Sequence, residues 1–259
     1  MGGGMGSGAV LTVLAVLAPP ILAQSETPAA AACGGPLGAA GRVAAAGPGL
    51  GLIVEDGTRV ALAGLMIPGA ATDLVPAIEQ RLLALVGETV RIAPTAAEAD
   101  RHGRVPAIVV AADGDLALSL VAAGLAAAAP GLESGCREAF RAAESAARAA
   151  GRGLWQNGHG LLRADDPDLA NRAPDMVIVE GRIVSVGESR GRLYLNFGEN
   201  WSTDFTVLVP EPLVAEFRSD GIDPEALARR RVRVRGWMVA RDGGYLELDA
   251  TWALEILEG

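Results

Sequence analysis

The sequence has no lysine: all 22 of its basic residues are arginine, and 31 acidic residues leave a formal net charge of -9. Such a surface repels phosphate backbones except where arginines cluster, which excludes indiscriminate nucleic-acid binding. Cysteine and histidine are scarce as well, with only Cys33, Cys136, His102 and His159. No two of the four have the close spacing of structural zinc ligands, and no Ser-His-Asp or Cys-His arrangement can be assembled from them. The glycine-rich stretches near Gly34 and Gly47 lack the Lys and Ser/Thr of a phosphate-binding loop. Beyond the amino terminus no apolar run is long enough to cross a bilayer.

What is present is apolar mass: half of the 259 residues are hydrophobic, enough for two small domains. Residues 1–23 carry the run from Ala9 to Leu17, a Pro19-Pro20 break and Ile21-Leu-Ala23, the length of a signal-peptide core. They predict export to the periplasm or secretion, although the segment before the run has no Arg or Lys; an uncleaved anchor is the alternative. Residues 24–46, rich in Ala, Gly and Pro, are expected to form a flexible lead-in. In an oxidising compartment, an even pair of cysteines predicts a Cys33–Cys136 disulfide.

Residues 47–156 alternate strand and helix signals. Leu50 to Val54 and Arg59 to Leu62 read as strands joined by Glu55-Asp56-Gly57-Thr58, whose Asp-Gly supplies a tight bend. Thr72-Asp73 caps a helix with Leu74, Val75, Ile78, Leu82 and Leu85 on one face. Thr89 to Ile92 and Val105 to Val110 are strands on either side of a Gly103-Arg104 turn, and Asp113-Gly-Asp115 is a turn and N-cap before a helix ending at Gly124. A last helix spans residues 137–150, with Phe140, Ala143 and Ala147 inward and a Glu144–Arg148 pair on the exposed face.

Polar, turn-rich residues 157–174 form the expected linker, with His159 in a surface loop. In residues 175–259, Val177 to Val186, Arg192 to Phe197 and Phe205 to Val209 are strands, followed by helical stretches at 211–218 and 224–228 and by strands Val232 to Val239 and Tyr245 to Leu248. That order is the order of an OB-type barrel. In Arg229-Arg-Arg-Val-Arg-Val-Arg235, alternation sends the valines inward and the arginines outward. With Tyr194, Phe197 and Trp201, the stripe Arg231, Arg233, Arg235 is either a face for single-stranded nucleic acid or a solvated wall whose arginines pair with Glu247 and Asp249.

Five strings in order, Val60-Ala-Leu-Ala-Gly-Leu, Pro68, His102-Gly-Arg104, Leu120 to Ala126, and Ala143-Glu144 through Trp155, give residues 58–155 a resemblance to the staphylococcal nuclease (thermonuclease) family. The resemblance implies an OB-type barrel with packed helices. It also implies cleavage of DNA and RNA phosphodiesters with calcium held by two aspartates, a glutamate activating water and two arginines on the phosphate. In this chain the metal aspartates fall on or next to Gly51 and on Met66, the glutamate on Gly69 and one arginine on Ala61. Only Arg104 keeps its type.

The chain is thus expected to be mainly β with helices (α+β), a nuclease-like OB-type barrel followed by a second OB-like barrel. No catalytic residue is confidently assigned and no cofactor is expected, calcium entering only if the domain is a divergent nuclease. The expected role is an inactive binding or structural module with a protein or single-stranded nucleic-acid partner. Candidate binding residues are Arg104, Arg231, Arg233 and Arg235.

Overall fold

The structure, a computed structural model, describes residues 1–3, 38–200 and 202–257. Residues 4–23 of the expected signal segment, Cys33 and Trp201 lie outside the described residues.

The first barrel is built from β1 (Ala39–Gly47), β2 (Gly51–Val54), β3 (Arg59–Leu62), the short β4 (Leu65–Met66), helix α1 (Val75–Leu83), β5 (Thr89–Pro94), β6 (Val105–Ala111), β7 (Gly114–Asp115), α2 (Leu116–Ala122), β8 (Ala127–Ala128) and α3 (Ser134–Ala149). Strand β1 pairs with both β2 and β5, β5 pairs with β6, and β6 returns to β3 in parallel register. This closes a five-stranded barrel in the order β1-β2-β3-β6-β5. Closure removes exposed strand edges and encloses Val43, Leu52, Val60, Val90 and Val109, with Ile78, Leu120 and Phe140 of the three helices sealing the core.

Strand β1 corrects the expected lead-in, because it begins at Ala39 inside residues 24–46. Its Val43 is only 1 % exposed. The run Ala39 to Gly47 has one β-branched residue, Val43, and Arg42 among alanines and glycines, so its composition reads as a linker while its position between two strands makes it central. The Thr72-Asp73 cap is also displaced: residues 69–74 form a 3-10 turn, and α1 starts at Val75 with Pro76 in its first turn. Asp115 does cap α2, accepting a 2.9 Å hydrogen bond from the Leu118 N–H.

The second sheet-rich region contains β9 (Leu162–Arg163), β10 (Asp175–Arg182), β11 (Ser185–Ser189), β12 (Arg192–Asn196), β13 (Thr206–Val209), α4 (Glu211–Ser219), β14 (Arg231–Ala240), β15 (Gly244–Glu247) and β16 (Leu254–Leu257). Its neighbours run β11-β12-β13-β15-β14-β10, with β13 and β15 parallel. Strands β10 and β11 are separated only by Ile183 and Val184, so the path starts and ends on adjoining stretches of chain. Counting β10 and β11 as one bent strand, the cyclic order of neighbours repeats that of the first barrel. Val177, Val179, Leu195, Val207, Val209, Val232, Val234 and Phe217 fill its interior.

The expected linker is partly structured: Leu162 and Arg163 pair with β10, and Leu169 is buried in the second core. A turn-rich composition signals where the chain bends, and buried Leu169 shows that such a segment can still pack.

Candidate functional site

The residues that were expected at the nuclease family's reactive positions separate into two places. At the first, Gly51 faces Ala61 across the β2–β3 ladder, and Arg104 reaches over the β1–β2 turn. Its Nη1 donates to the Gly49 carbonyl at 2.7 Å, while Nε and Nη2 engage the Asp100 carboxylate at 2.9 and 2.8 Å. Asp100 is held at about 2, first by the Arg104 backbone N–H and then by its guanidinium, with a further hydrogen bond from the His102 N–H. Arg104 therefore joins two loops of the barrel.

A side chain on the turn has no room beside this arginine. A Cβ at Gly49, where φ is +65°, would overlap Arg104 Nη1, and a Cβ at Gly51 would overlap the Val60 carbonyl. Neither position has space for a carboxylate without movement of the loop or strand around it.

At the second place, Met66 and Gly69 meet the second region. Met66, 5 % exposed, packs with Ala71, Ala127, Ala147, Leu154 and Trp155 of the first barrel and Ile178 of β10. A Cβ at Gly69 would overlap the Asp175 carboxylate at the start of β10. Asp175 of the neighbouring region thus fills the space beside Gly69.

The join between the two regions is built from the arginine stripe of β14. Arg235, 4 % exposed, donates from Nη1 and Nη2 to the two oxygens of Glu144 on α3, both at 2.7 Å. It also donates to the Ala128 carbonyl at 3.0 Å, and the Ala128 N–H donates to Glu144 at 2.9 Å, so the buried pair has backbone partners on both sides. Burial by itself would push the Glu144 carboxyl up. The hydrogen bonds and charge of Arg235, with the Ala128 N–H and the charge of Arg148, outweigh it and leave the carboxyl below its ordinary 4.5.

Glu144 was expected on an exposed helix face with Arg148. It does lie 3.5 Å from Arg148, but it is 3 % exposed because β14 covers α3. Arg148 forms a two-pronged pair with Glu255 of β16 at 2.8 and 3.1 Å. Arg233 bonds Glu255 and Glu180, and the more exposed Arg231 reaches Glu180 at 3.2 Å. The acidic partners are therefore Glu180, Glu255 and Glu144, in place of the expected Glu247 and Asp249. Two of the three outward arginines are buried because the outward face of β14 is covered by the first barrel.

Indole rings complete the join. The guanidinium groups of Arg148 and Arg233 lie 5.5 and 5.8 Å from the Trp155 ring centre, and Arg235 lies 5.2 Å from that of Trp252. Trp252 donates to the Pro130 carbonyl of the first barrel at 2.6 Å. Sequence reasoning missed Glu144, Glu255 and Trp252 in this role. The one available signal was that Glu144 belongs to the Ala143-Glu144 string that carries the family resemblance.

The remaining expected features lie apart. His159 is partly exposed and bonds Asp73 at 2.7 Å. Phe197 is in the second core against Phe205, with ring centres 5.1 Å apart, whereas Tyr194 is on the outer face. Among the described residues, no three His, Cys, Asp or Glu side chains are grouped as a metal would require. No helix among them is long and apolar enough to cross a membrane.

A closed barrel of this strand order, carrying α1 between β3 and β5 and α2 and α3 after β6, defines an OB-type domain. Residues 79–157 match the family model described as Staphylococcal nuclease homologue, so the first barrel is a staphylococcal nuclease-like domain. No curated protein matches the chain.

Proposed function

We propose that the nuclease-like domain of this chain is catalytically inactive and that the protein is an exported binding or structural module. One observation carries this reading: Met66 and Gly69, the positions of a metal carboxylate and of the water-activating carboxylate, are built into the contact with the second region. A hard cation needs several oxygen ligands, and the residues at Gly49, Gly51, Ala61 and Met66 offer no side-chain oxygen. The residues present do not fit calcium. Arg104 is satisfied by Asp100 and two backbone carbonyls, which suits a strut better than a phosphate ligand.

The second region is proposed to be an OB-like barrel on its repeated strand order. The buried arginines are proposed to clasp the two barrels together. Export rests on residues 1–23, and with it a Cys33–Cys136 disulfide. Cys136 is buried on α3, and the bond is tested by mass spectrometry after alkylation of the non-reduced, denatured chain. Neither cysteine should be alkylated until a reductant is added; labelling of both without reductant removes the disulfide. Catalytic inactivity is tested by calcium-dependent cleavage of fluorescently labelled single-stranded DNA by the full chain.

A further inference from the structure

We propose that the cavity where residues 157–165 pass the outer face of β10 and β14 binds a small phosphomonoester, with Arg182 and Arg231 as its ligands. This deepens the binding reading above by naming a ligand class, and its failure would leave the expected absence of cleavage untouched.

The site follows from two neighbouring rows of side chains on that face. In the first row, register aligns Arg163, Glu180, Arg233 and Glu255 across β9, β10, β14 and β16, so charge alternates from strand to strand. Arg233 joins the two acids, donating to Glu180 from Nε and to Glu255 from Nη1, both at 2.8 Å. In the next row Arg182 stands directly opposite Arg231, with Leu257 beyond it. Like charges facing each other on paired strands destabilise a sheet, and this row contains no acid to offset them.

The nearby carboxylates are engaged elsewhere. Asp165 accepts from Arg163 on both oxygens, at 2.9 and 2.6 Å. Glu180 is held by Arg233 and takes a single bond, at 3.2 Å, from Nη2 of Arg231, whose side chain is still 58 % exposed. Arg182 has no ion-pair partner among the described residues. Its Nη1 donates to the Arg229 carbonyl at 2.8 Å, which fixes one edge of the guanidinium and leaves its other N–H groups open.

Both arginines line one cavity of about 780 Å³, a size that suits a whole small molecule. Leu161 and the 44 % exposed Val184 give it an apolar wall for an organic body. Guanidinium forks match phosphate oxygens, and the oxygens of a tetrahedral group can accept from two forks at once. A phosphomonoester carries a charge of about −1.5 to −2 at neutral pH, which balances the two opposed cations. A phosphodiester strand brings a single charge per link, and in a chain of net charge -9 its continuation beyond the cavity is repelled.

The test is isothermal titration of the full chain, in phosphate-free buffer at low salt, with phenyl phosphate, glycerol 3-phosphate and the diester methyl phenyl phosphate. Co-sedimentation with phosphatidylcholine vesicles, with and without phosphatidic acid, tests a lipid source of the same group. Saturable binding of either soluble monoester, or of the phosphatidic acid vesicles alone, is expected, and which of them binds identifies the source. Arg182→Gln and Arg231→Gln should each weaken it at least tenfold. In the absence of ligand, Arg182→Gln should unfold at a urea midpoint no lower than the parent chain's, because it relieves the repulsion. No binding of any monoester, equal binding of the diester, or binding unchanged in both variants overturns the proposal. A lower midpoint for Arg182→Gln also overturns it, by making that arginine a structural strut.

Discussion

Replacing Arg235 by alanine should cost about 3–5 kcal/mol of unfolding free energy, read as a lower midpoint in urea. The guanidinium is 4 % exposed and its partner Glu144 3 %, so the variant leaves a buried carboxylate facing a cavity. The Ala128 carbonyl loses its partner at the same time. The double variant Glu144→Gln, Arg235→Met should recover part of the loss, because it removes the unpaired charge while Gln keeps an acceptor for the Ala128 N–H. Equal or greater loss in the double variant would mean that packing, and not charge pairing, holds the two regions.

The same pair sets a pH signature. The Glu144 carboxyl lies below its ordinary 4.5 in the folded chain. Its contribution is therefore complete above that value and is lost as pH falls through the lower folded value. Without Arg235 the dominant remaining influence is burial, which raises the carboxyl. Stability of Arg235→Ala should then fall less steeply with acid than that of the parent chain, measured by urea unfolding at a series of pH values from neutral to acid.

Returning the missing carboxylates should damage the protein and leave it inactive. Met66→Asp places an unpaired carboxylate among Ala71, Ala127, Leu154, Trp155 and Ile178, with an expected loss of about 3 kcal/mol or more. The aspartate would respond by binding a proton, so the deficit should be larger at neutral than at acid pH. Gly69→Glu must displace Asp175 before its side chain can be accommodated, and should loosen the contact between the regions. Thermal unfolding followed by tryptophan fluorescence checks both, since Trp155 and Trp252 lie in or beside that contact. A fully stable Met66→Asp chain would show that the pocket around Met66 is wetter than its burial implies.

How much of this was legible in the sequence depends on the range of the interactions. The second region's strands were readable because Val232 and Val234 alternate with arginines and Val177-Ile178-Val179 is a β-branched run, and β-branched residues favour strands. Strand β1 was not, since Ala and Gly give no alternation to read. The expectation that Gly51, Ala61, Met66 and Gly69 stand at the family's reactive positions came from the resemblance alone, residue by residue. The join was invisible because Glu144 and Arg235 are 91 residues apart, and each looked like an ordinary surface charge in its own element. Periodicity told which face Arg233 and Arg235 occupy. Only the tertiary arrangement told that the face is covered.

Calcium-dependent hydrolysis tests the central claim most directly: a nuclease-like barrel whose reactive positions have become glycine, alanine and methionine and now support a second region. Full-length chain is incubated with labelled single-stranded DNA and calcium, with matched samples in chelator and with the Arg104→Ala variant. The account predicts the same background rate in all of them. Calcium-dependent product formation that disappears in chelator and in Arg104→Ala would contradict it.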